Sequence, residues 1–153
     1  RVVSIGMFEH VGRKNYRGFM ETVERVLRDD GLFLLHTIGL AYTGWTTDPW
    51  IAKYIFPNSM LPSLAQITRA SEGLFVIEDI QNIGAHYDKT LMAWFHNFDR
   101  HWEDLRPQYG DIFYRMWKYY LLACAGAFRA RRNQVWQIVF SKRGVPGGYV
   151  PAR

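Results

Sequence analysis

The chain has 153 residues, of which 48% are apolar and 16% aromatic, and it carries a formal net charge of +5. That length supports one domain with a real core. There is no tract of about 18 apolar residues that would span a bilayer, and the single cysteine, Cys124, excludes an internal disulfide framework and fits a reducing cytoplasm.

In chain order, Val2 to Ile5 is a short apolar run closed by Gly6, which predicts a buried strand. Tyr16, Phe19, Met20, Val23, Val26 and Leu27 recur at helical spacing, with Glu21, Glu24, Arg25 and Arg28 on the other face. Asp29-Asp30-Gly31 marks a turn, and 32–38 predicts the next strand. Strand, helix, strand with a short turn argues for parallel pairing through a right-handed crossover. Residues 39–62 are rich in Gly and Pro, with a short helix expected between Pro49 and Pro57; an insertion of this kind often covers a ligand. Ser63 caps a short helix over 63–71, and 74–80 reads as a strand.

Leu91, Trp94, Phe95, Phe98, Trp102 and Leu105 form one helical stripe, and Pro107 is expected to end that helix or to lie just past it. Ile112, Met116, Tyr119, Tyr120, Ala123 and Ala127 form a second, running into Arg129, Arg131 and Arg132, where cations suit the negative end of a helix dipole. A last strand is predicted over 135–140, followed by a loose tail over 144–153. The chain opens directly on a strand pattern at Arg1, without an initiator Met or a signal-peptide layout, so it is expected to be a piece of a longer polypeptide.

In an open parallel sheet, ligands bind beyond the carboxyl ends of the strands. Glu9 follows the first strand and His36 ends the second, so the two are expected to face one crevice, where proton chemistry would sit. From the residues alone, Glu9 reads equally as a loop cap, and a lone histidine in an apolar strand is more often a satisfied core residue. Glu9, His10 and His36 lack the HExxH spacing of a metal site. No GxGxxG turn marks a nicotinamide enzyme, and the basic excess comes with no nucleic-acid motif.

The strings SIGMFEHVG, LLHTIG, DPWIAKYIFPN, LPSLAQI, YDKTLMAWF, YYLLACAGAFRAR and WQIVFSK, in this order and spacing, resemble the cyclopropane fatty-acyl-phospholipid synthase family of class I S-adenosylmethionine-dependent enzymes. The resemblance implies an α/β fold: half of a class I methyltransferase Rossmann-like sheet, strands 4, 5, 6 and 7 of the order 3-2-1-4-5-7-6. The last strand would be antiparallel, and a long aromatic-rich helical insertion would precede it. It further implies that residues 1–153 are the C-terminal part of the catalytic domain, with the Gly-rich cofactor loop and an N-terminal domain lying upstream. The first strand would then carry an open edge, an association hazard that a further segment or a partner should cover.

The implied reaction is methylene transfer from S-adenosylmethionine to a cis double bond of a phospholipid acyl chain, through a carbocation deprotonated by bound bicarbonate. Such a cation demands exclusion of water. The family's bicarbonate-holding glutamate, histidine and tyrosine fall on Glu9, His36 and Tyr87. Cys124 matches a cysteine once considered catalytic. No cationic neighbour precedes it within a helical turn to lower its pKa, so it is expected to line an acyl tunnel. Ser4, Ile5 and Gly6 match the strand end that borders the cofactor, and Phe8, Trp94, Phe98, Tyr120 and Phe128 are candidates for the acyl-chain wall. The implied setting is bacterial and cytoplasmic, peripheral at the inner membrane surface, with a phospholipid acyl chain as substrate, no nucleic acid, and a homodimer of the full-length protein as a further expectation. Two other readings remain: a non-catalytic lipid-binding or assembly fragment, and a related lipid C-methyltransferase.

Overall fold

The computed structural model describes residues 1–44 and 46–151. Its first compact unit comprises Arg1–Ile83 and Gln134–Arg153, and its second Gly84–Asn133. The first unit runs β1 (Val2–Ile5), α1 (Phe8–Val11), α2 (Tyr16–Val26), β2 (Leu32–Leu40), α3 (Pro49–Tyr54), α4 (Leu64–Ser71), β3 (Val76–Asn82) and, after the second unit, β4 (Asn133–Ser141). The sheet order is β1-β2-β4-β3. β1 lies parallel to β2, with Ile5 opposite His36, while β4 lies antiparallel to β3, with Gln137 opposite Gln81. This is the expected half-sheet, with the last strand inserted and β1 at an edge. The tail predicted over 144–153 includes Ala152 and Arg153, which lie outside the described residues.

Side-chain alternation assigns the faces of the sheet. Along β2, Phe33, Leu35, Thr37 and Gly39 are buried, and the residues between them are half-buried. Phe33 and Leu35 meet Ile138 and Phe140 of β4 and the buried stripe Tyr16, Met20, Val23 and Leu27 of α2. Phe33 stacks on Phe140 with ring centroids 5.4 Å apart. Each such side chain contributes about 1.5–3 kcal/mol on burial, so this one-sided core sets the register of β2. Leu34, His36 and Ile38 consequently point to the opposite face, alongside Val3 and Ile5 of β1, which are 59% and 67% exposed.

α4 starts where the sequence placed it, at a reciprocal capping box: the Ser63 hydroxyl accepts from Gln66 N–H at 3.2 Å, and Gln66 Oε1 accepts from Ser63 N–H at 2.8 Å. Asp48 caps α3 by accepting from the N–H groups of Trp50 and Ile51.

The second unit is the aromatic-rich helical insertion: α5 (Gly84–Arg100) and α6 (Trp102–Arg129). Here the structure corrects the predicted boundary. The stripe through Leu105 crosses a helix end, because the backbone breaks at His101, and Pro107 lies inside α6 instead of closing the preceding helix. Proline lacks the N–H that would reach the Glu103 carbonyl, and the helical path breaks again at Gly110 (φ 73°, ψ 164°), a conformation readily available only to glycine. Arg106 spans the break to Asp111 at 3.0 Å. The first apolar stripe continues across the break at His101, which hid it, whereas Gly110 lies between the two stripes. No helix among the described residues is long and apolar enough to cross a membrane.

Gly39 allows the sheet to close under α4. A Cβ at this position would lie 2.5 Å from the Pro62 carbonyl oxygen and collide with the Trp136 ring. Gly39→Ala is therefore expected to destabilise the fold by about 3 kcal/mol, read as a lowered denaturation midpoint with an unchanged m-value.

Candidate functional site

The first cluster grows out of the end of β1. Gly6, at φ 62°, turns the chain out of the strand, and Phe8 drops into the core, stacked on Tyr16 with ring centroids 4.3 Å apart. With Phe8 fully buried, its neighbour Glu9 is carried inward and is only 6% exposed. Glu9 Oε1 accepts from the Ile38 N–H of β2 at 2.7 Å, and the Glu9 carbonyl accepts from Met60 N–H at 2.8 Å. Among the described residues, Glu9 Oε2 is buried without a hydrogen-bond partner, as is the Ser4 hydroxyl. Buried polar atoms are nearly always paired, and an unpaired carboxylate oxygen is among the costliest exceptions. Burial, and then the negative charge of Glu9, push the Tyr16 phenol up to about 12, so Tyr16 remains a neutral donor, directed at the Met60 carbonyl.

His36 stands beside this cluster on β2. Its carbonyl accepts from Gly6 N–H at 3.1 Å, and Glu9 is tied to Ile38 two residues further on. β1 and β2 end side by side with Ile5 opposite His36, and the Glu9 carboxylate is bonded to the β2 backbone at Ile38. The His36 ring is half-buried, with Nδ1 3.2 Å from Gln137 Nε2 on β4. Gln137 is a residue that sequence reasoning missed. A glutamine in a strand carries no signal of its own, and only the insertion of β4 beside β2 brings it across 101 residues. His10 is exposed and contacts Phe56 edge-on, in keeping with a structural role.

A cofactor fits at this strand end on one wall only. Ile5 is exposed, and a Cβ at Gly6 would meet nothing within 4 Å, so backbone edges there are open to a ligand. A small oxygen anion carrying an O–H fits the chemistry of the donor set: an unpartnered buried carboxylate oxygen accepts, and an imidazole N–H donates.

Tyr87 and Cys124 belong to the second unit. Tyr87 packs against Phe128 at 4.9 Å and edge-on to Trp94 at 6.0 Å. Cys124 lies one turn beyond Tyr120 on α6, half-buried. Burial first, then the proximity of Cys124 and Tyr87, push the Tyr120 phenol up to about 12. Of the residues expected to wall an acyl chain, Phe128 and Trp94 pack against Tyr87, with Trp94 47% exposed, and Tyr120 stands one turn before Cys124. Phe8 instead fills the core of the first unit.

Asp88, next to Tyr87, is gripped by the Arg129 guanidinium through two hydrogen bonds of 2.9 and 3.0 Å. These bonds first, and the Arg129 and Lys89 charges behind them, hold the Asp88 carboxyl below its ordinary value of 3.8 against a smaller opposing effect of burial. A carboxyl lowered in the folded state adds stability above its unfolded pKa and loses it as the pH falls through the lowered one. Asp88→Asn is therefore expected to melt below wild type at pH 7, and the gap should close on acidification below that ordinary value. A gap that persists at pH 2 would contradict this.

A sequence profile described as mycolic acid cyclopropane synthetase matches residues 1–138. The chain is 56% identical over 153 residues to a cyclopropane-fatty-acyl-phospholipid synthase of Escherichia coli, a match covering all of this chain and 40% of that protein. It is 31% identical to cyclopropane mycolic acid synthase 2 of Mycobacterium leprae over 163 aligned residues, covering 93% of this chain and 53% of that protein. Among solved structures, the cyclopropane synthase MmaA2 from Mycobacterium tuberculosis superposes with a TM-score of 0.83 at 30% identity, over 93% of this chain and 55% of the other. The mycolic acid cyclopropane synthase CmaA1 in complex with SAH and CTAB does so with a TM-score of 0.85, at the same identity and coverage. The chain thus spans about two fifths of the length of the Escherichia coli relative.

Proposed function

This chain belongs to the mycolic acid cyclopropane synthetase family, and on that premise we propose that it carries the proton-handling part of an enzyme that converts a cis double bond of a phospholipid acyl chain into a cyclopropane ring. The observation that carries the reading is Glu9 Oε2, a buried carboxylate oxygen with no partner among the described residues, while Oε1 is tied to Ile38 N–H. Such an atom calls for a donor from outside the chain, and the O–H of bicarbonate is a donor of the right size.

When bound, S-adenosylmethionine supplies an electrophilic methyl group and bicarbonate a base. The residues of this chain orient and shield. Glu9 holds one acceptor oxygen ready, with its other oxygen locked on Ile38 N–H. The imidazole of His36 donates to the anion. Ser4, Ile5 and Gly6 offer backbone to one edge of the cofactor. Burial around Phe8 and Tyr16 keeps water from Glu9, as a carbocation reaction requires. The acyl substrate places the enzyme at the cytoplasmic membrane surface, in keeping with the basic excess.

Glu9→Gln is the direct test. The amide oxygen can still accept from Ile38 N–H, while an NH₂ group replaces the unpartnered acceptor, so the fold is retained and the acceptor for the bicarbonate O–H is lost. In the full-length protein, ring formation is expected to fall about 100-fold, with S-adenosylmethionine affinity changed no more than a few-fold. Unchanged activity would remove Glu9 from the mechanism. Mass spectrometry of the lipid product separates ring closure from simple methyl branching.

The resemblance assigns a third donor to Tyr87. Tyr87→Phe deletes only the hydroxyl and is expected to lower ring formation about ten-fold, with the thermal midpoint unmoved; an equal loss of stability would mark Tyr87 as a packing residue instead.

A further inference from the structure

The contact between Gln137 and His36 has a consequence for the chemistry of the ring. Gln137 sits on β4, an interior strand held by β2 on one side and β3 on the other. Its backbone is fixed in register opposite Gln81, and its side chain meets His36 Nδ1 at 3.2 Å. We infer that Gln137 is a positioning residue that sets the tautomer of His36, an inference that rests on the reading of His36 as an anion donor.

The amide nitrogen of Gln137 carries two protons and no available lone pair, so in this contact it donates. Nδ1 must therefore accept, and a neutral imidazole accepting at Nδ1 carries its one proton on Nε2. The opposite tautomer would set two N–H groups against each other at the same distance. Gln137 thus keeps Nε2–H, on the far side of the ring, as the donor offered to an oxyanion. Because the amide is neutral, this is done without adding charge beside the anion. A carboxylate at the same place would do the reverse, drawing the proton to Nδ1. Rigid strands on both sides make the arrangement preorganised, so no ordering cost falls on the ligand when it binds.

Histidine-selective ¹⁵N labelling of the full chain reads the tautomer from the two ring nitrogens, with the His36 signals assigned by their loss in His36→Gln. The wild-type ring is expected to be protonated at Nε2 and bare at Nδ1. Gln137→Met, of similar length but without a donor, is expected to give mixed tautomers and to reduce ring formation about ten-fold. Gln137→Glu is expected to move the proton to Nδ1, a reversal that loss of packing alone would not produce. A wild-type ring protonated at Nδ1, or a Gln137→Glu ring still protonated only at Nε2, overturns the inference. The spectra are independent of turnover. If they come out as expected while His36→Gln leaves ring formation intact, the anion-donor reading of His36 fails and the assignment of its tautomer to Gln137 stands.

Discussion

One hydrogen bond organises the candidate site: the N–H of Ile38, at the end of β2, donates to Glu9 Oε1 at 2.7 Å. It ties down one oxygen of the carboxylate and leaves the second without a donor among the described residues. Phe8 makes the bond geometrically necessary. Its ring, fully buried on Tyr16, fixes α1 and leaves Glu9 no route to solvent. Desolvating half of a carboxylate costs free energy that the fold does not recover internally. A stability-optimised chain would place a donor there or an apolar residue in place of Glu9, so the uncompensated oxygen is more readily understood as a cost borne for binding.

The second constraint is topological. Because β4 enters the sheet antiparallel between β2 and β3, a residue near the end of the chain faces His36. The same insertion supplies Ile138 and Phe140 to the core on one face and Gln137 on the other. Core packing and the orientation of His36 are therefore set by a single register. A slip of one residue would exchange Gln137 for an apolar neighbour and turn Phe140 out of the core.

Much of this could be read from the residues. The apolar stripe of α2, the Ser63 capping box, the strand ending at Gly6 and the parallel pairing of β1 with β2 all follow from local pattern and the geometry of parallel sheets. What could not be read depended on distant pairing or on backbone breaks that leave hydrophobic period intact. Gln137 carries no local signal. The break at His101 lies within the first aromatic stripe, and the break at Gly110 lies between the two stripes, three residues past Pro107. The unpartnered oxygen of Glu9 was also invisible, since sequence shows a carboxylate and not which of its lone pairs the backbone has taken.

The account stands or falls on what meets Glu9 Oε2. The most direct measurement is a crystal structure of the full chain grown with bicarbonate. The account predicts density for a small planar oxyanion within hydrogen-bond distance of Glu9 Oε2 and of the Nε2 atom of His36. Density showing that oxygen bonded to a donor of the protein itself, with no anion beside it, would contradict the account.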